Sequence, residues 1–236
     1  MSSTRVCLLG LTADPPHVGH AKILQHLSGL FDQVVVLPVF RHMFKGKRDR
    51  EGAVYDQRIA MCEKMVESIN CGNIVVSHAE KAVFSAKANA APAGQQENIR
   101  VGTAEILEYF QTLNSDNEYH FCMGGDVYRD LISGKWRRTE QIKNALCTTG
   151  GKSRLHVVDR IDEAEVAAEV AVTPLQELIA AEENKTGGFR ATVISLRVPG
   201  VSSSKVRELL ANGDDQAQSI NTEVHEYIKK HNLYVA

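Results

Sequence analysis

The stretch Arg5-Val-Cys-Leu-Leu-Gly-Leu-Thr-Ala-Asp-Pro-Pro-His17-Val-Gly-His20 decides how the rest of the chain is read. Val6 to Leu9 is a short unbroken apolar run, the pattern of a strand buried on both faces, and Gly10 to Pro16 is rich in residues that cannot continue it. A helix is expected next, with Asp14 as its N-cap and Pro15 or Pro16 at its first position. Ile23, Leu24 and Leu27 then recur at helical spacing. His17 and His20 therefore fall at or just before a helix N-terminus, where backbone N–H groups lack partners and the helix dipole is positive. Gly19 lets a ligand approach the backbone. Two imidazoles so placed can both reach one phosphate, although a metal half-site or two unrelated polar residues would look the same in isolation.

A chain of 236 residues with 43% apolar content suffices for one large α/β domain or two small ones. Its formal net charge of −2 argues against a nucleic-acid partner, so any anion site has to be built locally. No run approaches the roughly 20 apolar residues of a membrane span, and the first residues do not form a basic segment followed by an apolar one. A cytoplasmic enzyme, or one shared with the nucleus, is the expectation, and a homo-oligomer is compatible with it. Five cysteines (Cys7, Cys62, Cys71, Cys122, Cys147) form no CxxC pair and read as reduced packing residues.

Along the chain, Gln33 to Pro38 is a second buried-type strand, followed by a basic loop, Val39 to Arg50. That loop is either a solvated surface or an arm that lays Lys45 or Lys47 on phosphates. Tyr55 to Ile69 reads as a helix, Asn73 to Ser77 as a strand, Ala79 to Asn98 as a long, partly mobile loop, and Thr103 to Leu113 as a helix. Glu118 to Met123 is a strand ending in Gly124-Gly-Asp126, a turn where open α/β sheets place ligands. Asp126 can bind hydroxyl or amine donors there, or simply cap the helix Val127 to Ile132. Trp136, between Lys135 and Arg137, is either a ring platform or plain packing.

Asn144 to Thr148 and Leu155 to Val158 read as short strands. Asp159 to Glu183, with eight acids and one Arg, reads as an acidic helical surface insertion or partner face, extending to about residue 186. Phe189 to Leu196 is the expected last strand. It leads to Ser202, Ser203 and Ser204 at a helix start, where one serine suffices as a cap. Arg207 lies one turn further on the same face, so hydroxyls, N–H groups and a guanidinium converge on one anion. A helix at about Asn221 to His231 closes the chain.

These motifs resemble the HxGH nucleotidylyltransferase superfamily, and within it the nicotinate or nicotinamide mononucleotide adenylyltransferases. Gly10 to His20 is similar to GGTFDPxHxGH, and Leu37-Pro38 through Lys45 to the strand–loop–Lys segment. Arg58-Ile-Ala-Met61 is similar to RxxM, Gly124-Gly-Asp126 with Trp136 to GxD and KW, Val201 to Arg207 to ISSTxIR, and Tyr227 to Tyr234 to YIxxxxLY. The resemblance covers nearly the whole chain as a single domain. It departs at Leu11-Thr-Ala, where the family has Gly-Thr-Phe, at Gly102, where an aromatic is usual, and at Thr148-Thr-Gly after Cys147, where Arg-Pro-Gly is frequent.

The resemblance implies an α/β fold, a doubly wound parallel Rossmann-like sheet with C-terminal helices. It also implies a reaction in which a pyridine mononucleotide phosphate attacks the α-phosphorus of ATP and pyrophosphate leaves, with Mg²⁺ assisting and held mainly by phosphates and water. Such chemistry needs positioning and charge neutralisation rather than a protein nucleophile. His17, His20, Lys45 and Arg207 would serve the transfer. Gly10, Leu11, Thr12, Gly124, Asp126, Ser202, Ser203 and Ser204 would hold ATP, and Arg58, Thr103 and Trp136 the acceptor. The helix N-terminus lowers a histidine pKa and a phosphate raises it, so the charge of the imidazoles stays open. The N–H groups behind Gly102 favour the acid form of the ring substituent, and the missing aromatic leaves room for the amide. The rivals are another transferase of the superfamily acting on phosphopantetheine or a phospho-alcohol, a nucleotide-binding protein without turnover, a zinc protein using His17 and His20, and a class I aminoacyl-tRNA synthetase.

Overall fold

The computed structural model describes residues 3–41, 52–92, 94–95, 98–146, 153–162, 174–186, 189–214 and 218–235. Among them β1 (Arg5–Leu11), β2 (Gln33–Pro38), β3 (Ile74–Val76), β4 (Glu118–Gly124), β5 (Leu155–Asp162) and β6 (Thr192–Val198) form a six-stranded sheet in the order β3-β2-β1-β4-β5-β6. Every pairing is parallel. Strand order reverses between β1 and β4, and ligands of open α/β sheets bind outside the carboxyl ends of the strands at that place.

Parallel strands need crossovers, which put helices on both faces, so alternate residues of each strand enter two cores. Val6 and Leu8 of β1 join Tyr119, Phe121 and Met123 of β4 under α3 (Ala79–Ala90), α4 (Thr103–Leu113), α5 (Gly125–Ile132), α6 (Thr139–Leu146) and α7 (Pro174–Thr186). Cys7, Leu9 and Leu11 point the other way. They meet α1 (Val18–Ser28), α2 (Tyr55–Ile69), α8 (Ser203–Ala211) and α9 (Thr222–Lys230). This is the doubly wound arrangement the resemblance implies, and no helix among the described residues is long and apolar enough to cross a membrane.

Three expectations need correction. Ala79 to Asn98 is not a long loop: its first twelve residues form α3, because alanine is the best helix former and Ala79 and Val83 supply the narrow inward face. Asn144 to Leu146, expected in a strand, end α6, where Ile142 and Leu146 bury one helical stripe; Cys147 and Thr148 lie outside the described residues. Nor is the described part of the acidic stretch a surface insertion. Asp159 to Asp162 continue β5 in register with Ser195 to Val198 of β6. Pro174 then opens α7, where a missing N–H costs nothing, and Leu175 and Ile179 enter the core. Buried Glu182 is paired with Lys143 at 3.0 Å. The acids at 163, 165 and 169 lie outside the described residues.

Leu24 of α1 is fully buried in the second core. Leu24→Ala is expected to cost about 2–5 kcal/mol by lost transfer energy plus the cavity left behind, read from the urea unfolding midpoint.

Candidate active site

The turn after β1 and the starts of α1 and α8 meet over the switch between β1 and β4. They enclose a cleft of about 720 Å³ lined by twelve of the residues singled out above: Gly10, Leu11, Thr12, His17, His20, Arg58, Gly124, Asp126, Ser202, Ser203, Ser204 and Arg207. Thr103 and Trp136 lie instead in an adjoining pocket of about 240 Å³, which shares Gly10, Thr12, Arg41, Met123, Gly124 and Val127 with the first. Lys45 lies outside the described residues.

The N-cap of α1 is His17 (φ −142°, ψ 170°) rather than Asp14. Asp14 is engaged elsewhere: its carboxylate accepts from Ala53 N–H at 3.0 Å and Tyr234 O–H at 2.7 Å, and Arg207 Nη1 lies 3.8 Å from it. Burial and the Asp14 charge accordingly push the Tyr234 phenol far above its ordinary pKa. His17 N–H donates to His20 Nδ1 at 3.2 Å. An accepting Nδ1 carries no proton, so neutral His20 keeps its hydrogen on Nε2 as a donor. The two rings stack with centroids 3.7 Å apart, which a pair of imidazolium cations would resist. Gly19 makes room for this stack, since a Cβ there would stand 3.0 Å from His17 Cε1. Its space serves the imidazole of this chain rather than the approach of a ligand.

Burial, with the charge of Arg160 added, lowers His17 to about 4; burial, His17 and Arg160 lower His20 well below its ordinary value. Both are thus neutral donors in the free protein at neutral pH, and His17 Nδ1 is buried without a hydrogen-bond partner among the described residues.

The three serines divide their work. Ser202 caps α8 by accepting from Lys205 N–H at 3.2 Å. Ser203 Oγ donates to Pro15 O at 2.8 Å, and Ser204 Oγ accepts from Arg207 Nη2 at 3.2 Å. Arg207 Nη1 also donates to Asp14 O. Arg58, buried, donates to Thr12 O at 2.9 Å and Ala53 O at 3.2 Å, bracing the turn while lining the cleft. On the far side Gly124 accommodates the Asp126 carboxylate, whose Oδ1 a Cβ would meet at 2.8 Å. Gly102, N-cap of α4, gives its N–H to Glu105 at 3.0 Å, so one donor expected to be free for a ligand is taken.

Arg160 belongs to none of the motifs above. It stands in the carboxyl-terminal half of β5, 4.0 Å from Asp126, and lines the cleft beside both histidines. The sign was there: it is the one basic residue in a long acidic run. It lies on the strand Leu155–Asp162, which enters the cleft. Among the described residues no group of three or more His, Cys, Asp or Glu is arranged to hold a metal ion.

A model of the cytidylyltransferase-like family matches residues 8–209, and the chain belongs to that family of nucleotidyltransferases. Over 235 residues it is 25% identical to a "probable nicotinate-nucleotide adenylyltransferase" of Myxococcus xanthus, covering 98% of this chain and 95% of that one. A protein of the same name from Dehalococcoides mccartyi is 29% identical over 243 residues, covering 99% and 98%. Among solved structures, the Plasmodium falciparum nicotinic acid mononucleotide adenylyltransferase complexed with NaAD is similar in fold, with TM-score 0.63 and 16% identity over 98% of this chain and 97% of that one.

Lowering of His17 has a stability consequence. Above pH 6.5 folded and unfolded states both hold it neutral; below, the unfolded chain takes up a proton that the folded one refuses until about pH 4. Stability should therefore fall as pH drops through that window, by up to about 1.4 kcal/mol per unit. A shallower fall in His17→Gln, measured by urea unfolding between pH 6.5 and 5, is the expected outcome.

Proposed function

We propose that this chain transfers the adenylyl group of ATP to nicotinate mononucleotide, and less efficiently to its amide, releasing pyrophosphate and forming the dinucleotide of NAD biosynthesis. The observation that carries this reading is the meeting of two unlike pockets at Gly10, Thr12 and Gly124. One is rimmed by phosphate-binding groups and the other is narrow and holds Trp136. The names of the curated relatives support the acceptor.

In this reading the triphosphate lies over the N-termini of α1 and α8, against His17, His20, Ser203, Ser204 and Arg207, with Arg160 on the opposite wall. Asp126 and Gly124 receive the adenosine, and Trp136 and Thr103 the pyridine ring. The acceptor's phosphate oxygen attacks the α-phosphorus in line with the departing pyrophosphate oxygen. His20 Nε2–H donates to charge that grows on the phosphoryl oxygens, and Arg160 and Arg207 neutralise what spreads outward. Preference for the acid draws on the Thr103 and Ala104 N–H groups at the start of α4, which have no intrahelical acceptor. Mg²⁺, carried on the phosphates rather than by a protein cluster, supplies further neutralisation when bound.

The test is pyrophosphate release from ATP with nicotinate mononucleotide, nicotinamide mononucleotide or phosphopantetheine. Release with the third alone would move the chain to another acceptor class; ATP binding without release would make it a nucleotide-binding protein. His20→Ala is expected to lower kcat by roughly 10² or more with a smaller change in the KM for ATP, because the donor acts most strongly as charge develops. Trp136→Ala should raise the KM of the mononucleotide and spare that of ATP. A planar contact of about 0.5–1.5 kcal/mol corresponds to roughly two- to tenfold.

A further inference from the structure

Glu80 stands in the first turn of α3 and lines the same small pocket as Gly102, Thr103 and Trp136. Its Oε2 accepts the Phe40 N–H at 2.7 Å, which pins the carboxylate to the chain leaving β2. Around that contact Phe40 packs against Tyr55 and Phe84, with ring centroids 4.9 and 5.0 Å away. A carboxylate offers about four acceptor positions, and among the described residues Phe40 is the one hydrogen-bond donor to this group. A volume of about 240 Å³ is below the roughly 300–1,000 Å³ of a pocket for a drug-sized ligand, so the space suits one ring with its substituent. Gly102 puts no side chain into it.

We propose that Glu80 reads the ring substituent of the acceptor, accepting a hydrogen bond from a carboxamide N–H and repelling a carboxylate, so that it sets the ratio of amide to acid turnover. The inference rests on the adenylyl-transfer reading of the cleft. Two carboxylates facing each other without a shared proton repel, whereas a neutral carboxyl donates its O–H to a carboxylate, so the discrimination depends on the protonation of Glu80. Burial pushes this carboxyl up to about 7, against the Phe40 N–H and the Arg58 charge. The charged and titratable groups around it are Tyr55 and Arg58 of α2, Arg41 after β2, and Asp130 and Arg137 across the pocket, with His78 and Lys81 beside it in the chain. Lys81 is paired with Asp56 at 3.1 Å, and burial pushes Tyr55 up to about 12.

The experiment compares kcat/KM for nicotinamide and nicotinate mononucleotides in the full-length enzyme at saturating ATP, from about pH 6 to about pH 8.5. Both acceptors carry the same 5′-phosphate, so its own titration cancels in the ratio. The amide-to-acid ratio is expected to rise about tenfold across this range as Glu80 ionises, and to be flat in Glu80→Gln with the KM for ATP unchanged. A flat ratio in the wild-type enzyme, which requires no variant to fold, overturns the proposal. So does a Glu80→Gln enzyme that reproduces the wild-type rise. Turnover of neither mononucleotide would sink the adenylyl-transfer reading and this inference with it, whereas turnover of both with a flat ratio sinks the role of Glu80 alone.

Discussion

The turn that follows β1 cannot satisfy its own backbone. Between Thr12 and Pro16 two prolines donate nothing, and the carbonyls of Thr12, Asp14 and Pro15 each take a hydrogen bond from a distant side chain: Arg58, Arg207 and Ser203 respectively. A buried carbonyl left without a donor costs about 1–3 kcal/mol, so the turn holds its shape only while α2 and α8 are docked. Ala13 adds to the demand, since a φ of 51° is left-handed for a residue with a Cβ. The same contacts fix the site. Ser203 gives its single O–H to Pro15 O, and Arg207 lines the cleft while held by Asp14 O, so in the proposed reaction its guanidinium needs little reorganisation to meet a phosphate.

Electrostatics complete the arrangement. Stacked and overlooked by Arg160, with His17 buried and His20 half-buried, the two histidines are neutral in the free protein. A phosphate brought against them reverses that bias, since an anion nearby favours the cationic imidazole. A second proton on His20 would have to enter at Nδ1, which already accepts from His17 N–H, so in the proposed reaction His20 serves as a neutral Nε2–H donor.

How far the sequence could be read follows from where the signal is local. The β1 run, the helical stripe of Tyr55 to Ile69 and the serine-rich start of α8 declare themselves in a few adjacent residues, and the structure places them as expected. Alanine-rich α3 misled because its inward face is only Ala79 and Val83, too thin a stripe for periodicity to register. Asp14 looked like a cap because capping is the commonest use of an Asp before a helix, and its actual partners, Ala53 and Tyr234, lie 39 and 220 residues away. Arg160 was hidden by its company, since an acidic run suggests a solvated face. Glu80 was hidden because residues 79 to 98 read as a loop, where a single acid carries no signal.

The two pockets also differ in the groups that line them. His17, His20, Arg160 and Arg207 line the larger cleft together with Asp14 and Asp126, while Glu80 and Asp130 line the smaller pocket beside Trp136 together with Arg41 and Arg137. The acceptor in the proposed reaction has an anionic phosphate at one end and a cationic pyridinium at the other. An aromatic face and a nearby carboxylate both favour such a cation. In the proposed reaction the reverse orientation would set the phosphate against Glu80, which repels it when ionised, and away from the imidazoles and Arg160. If the proposed reaction holds, recognition of acid against amide falls to the N–H groups that open α4 and to the Glu80 carboxylate, with the balance between them set by a single proton.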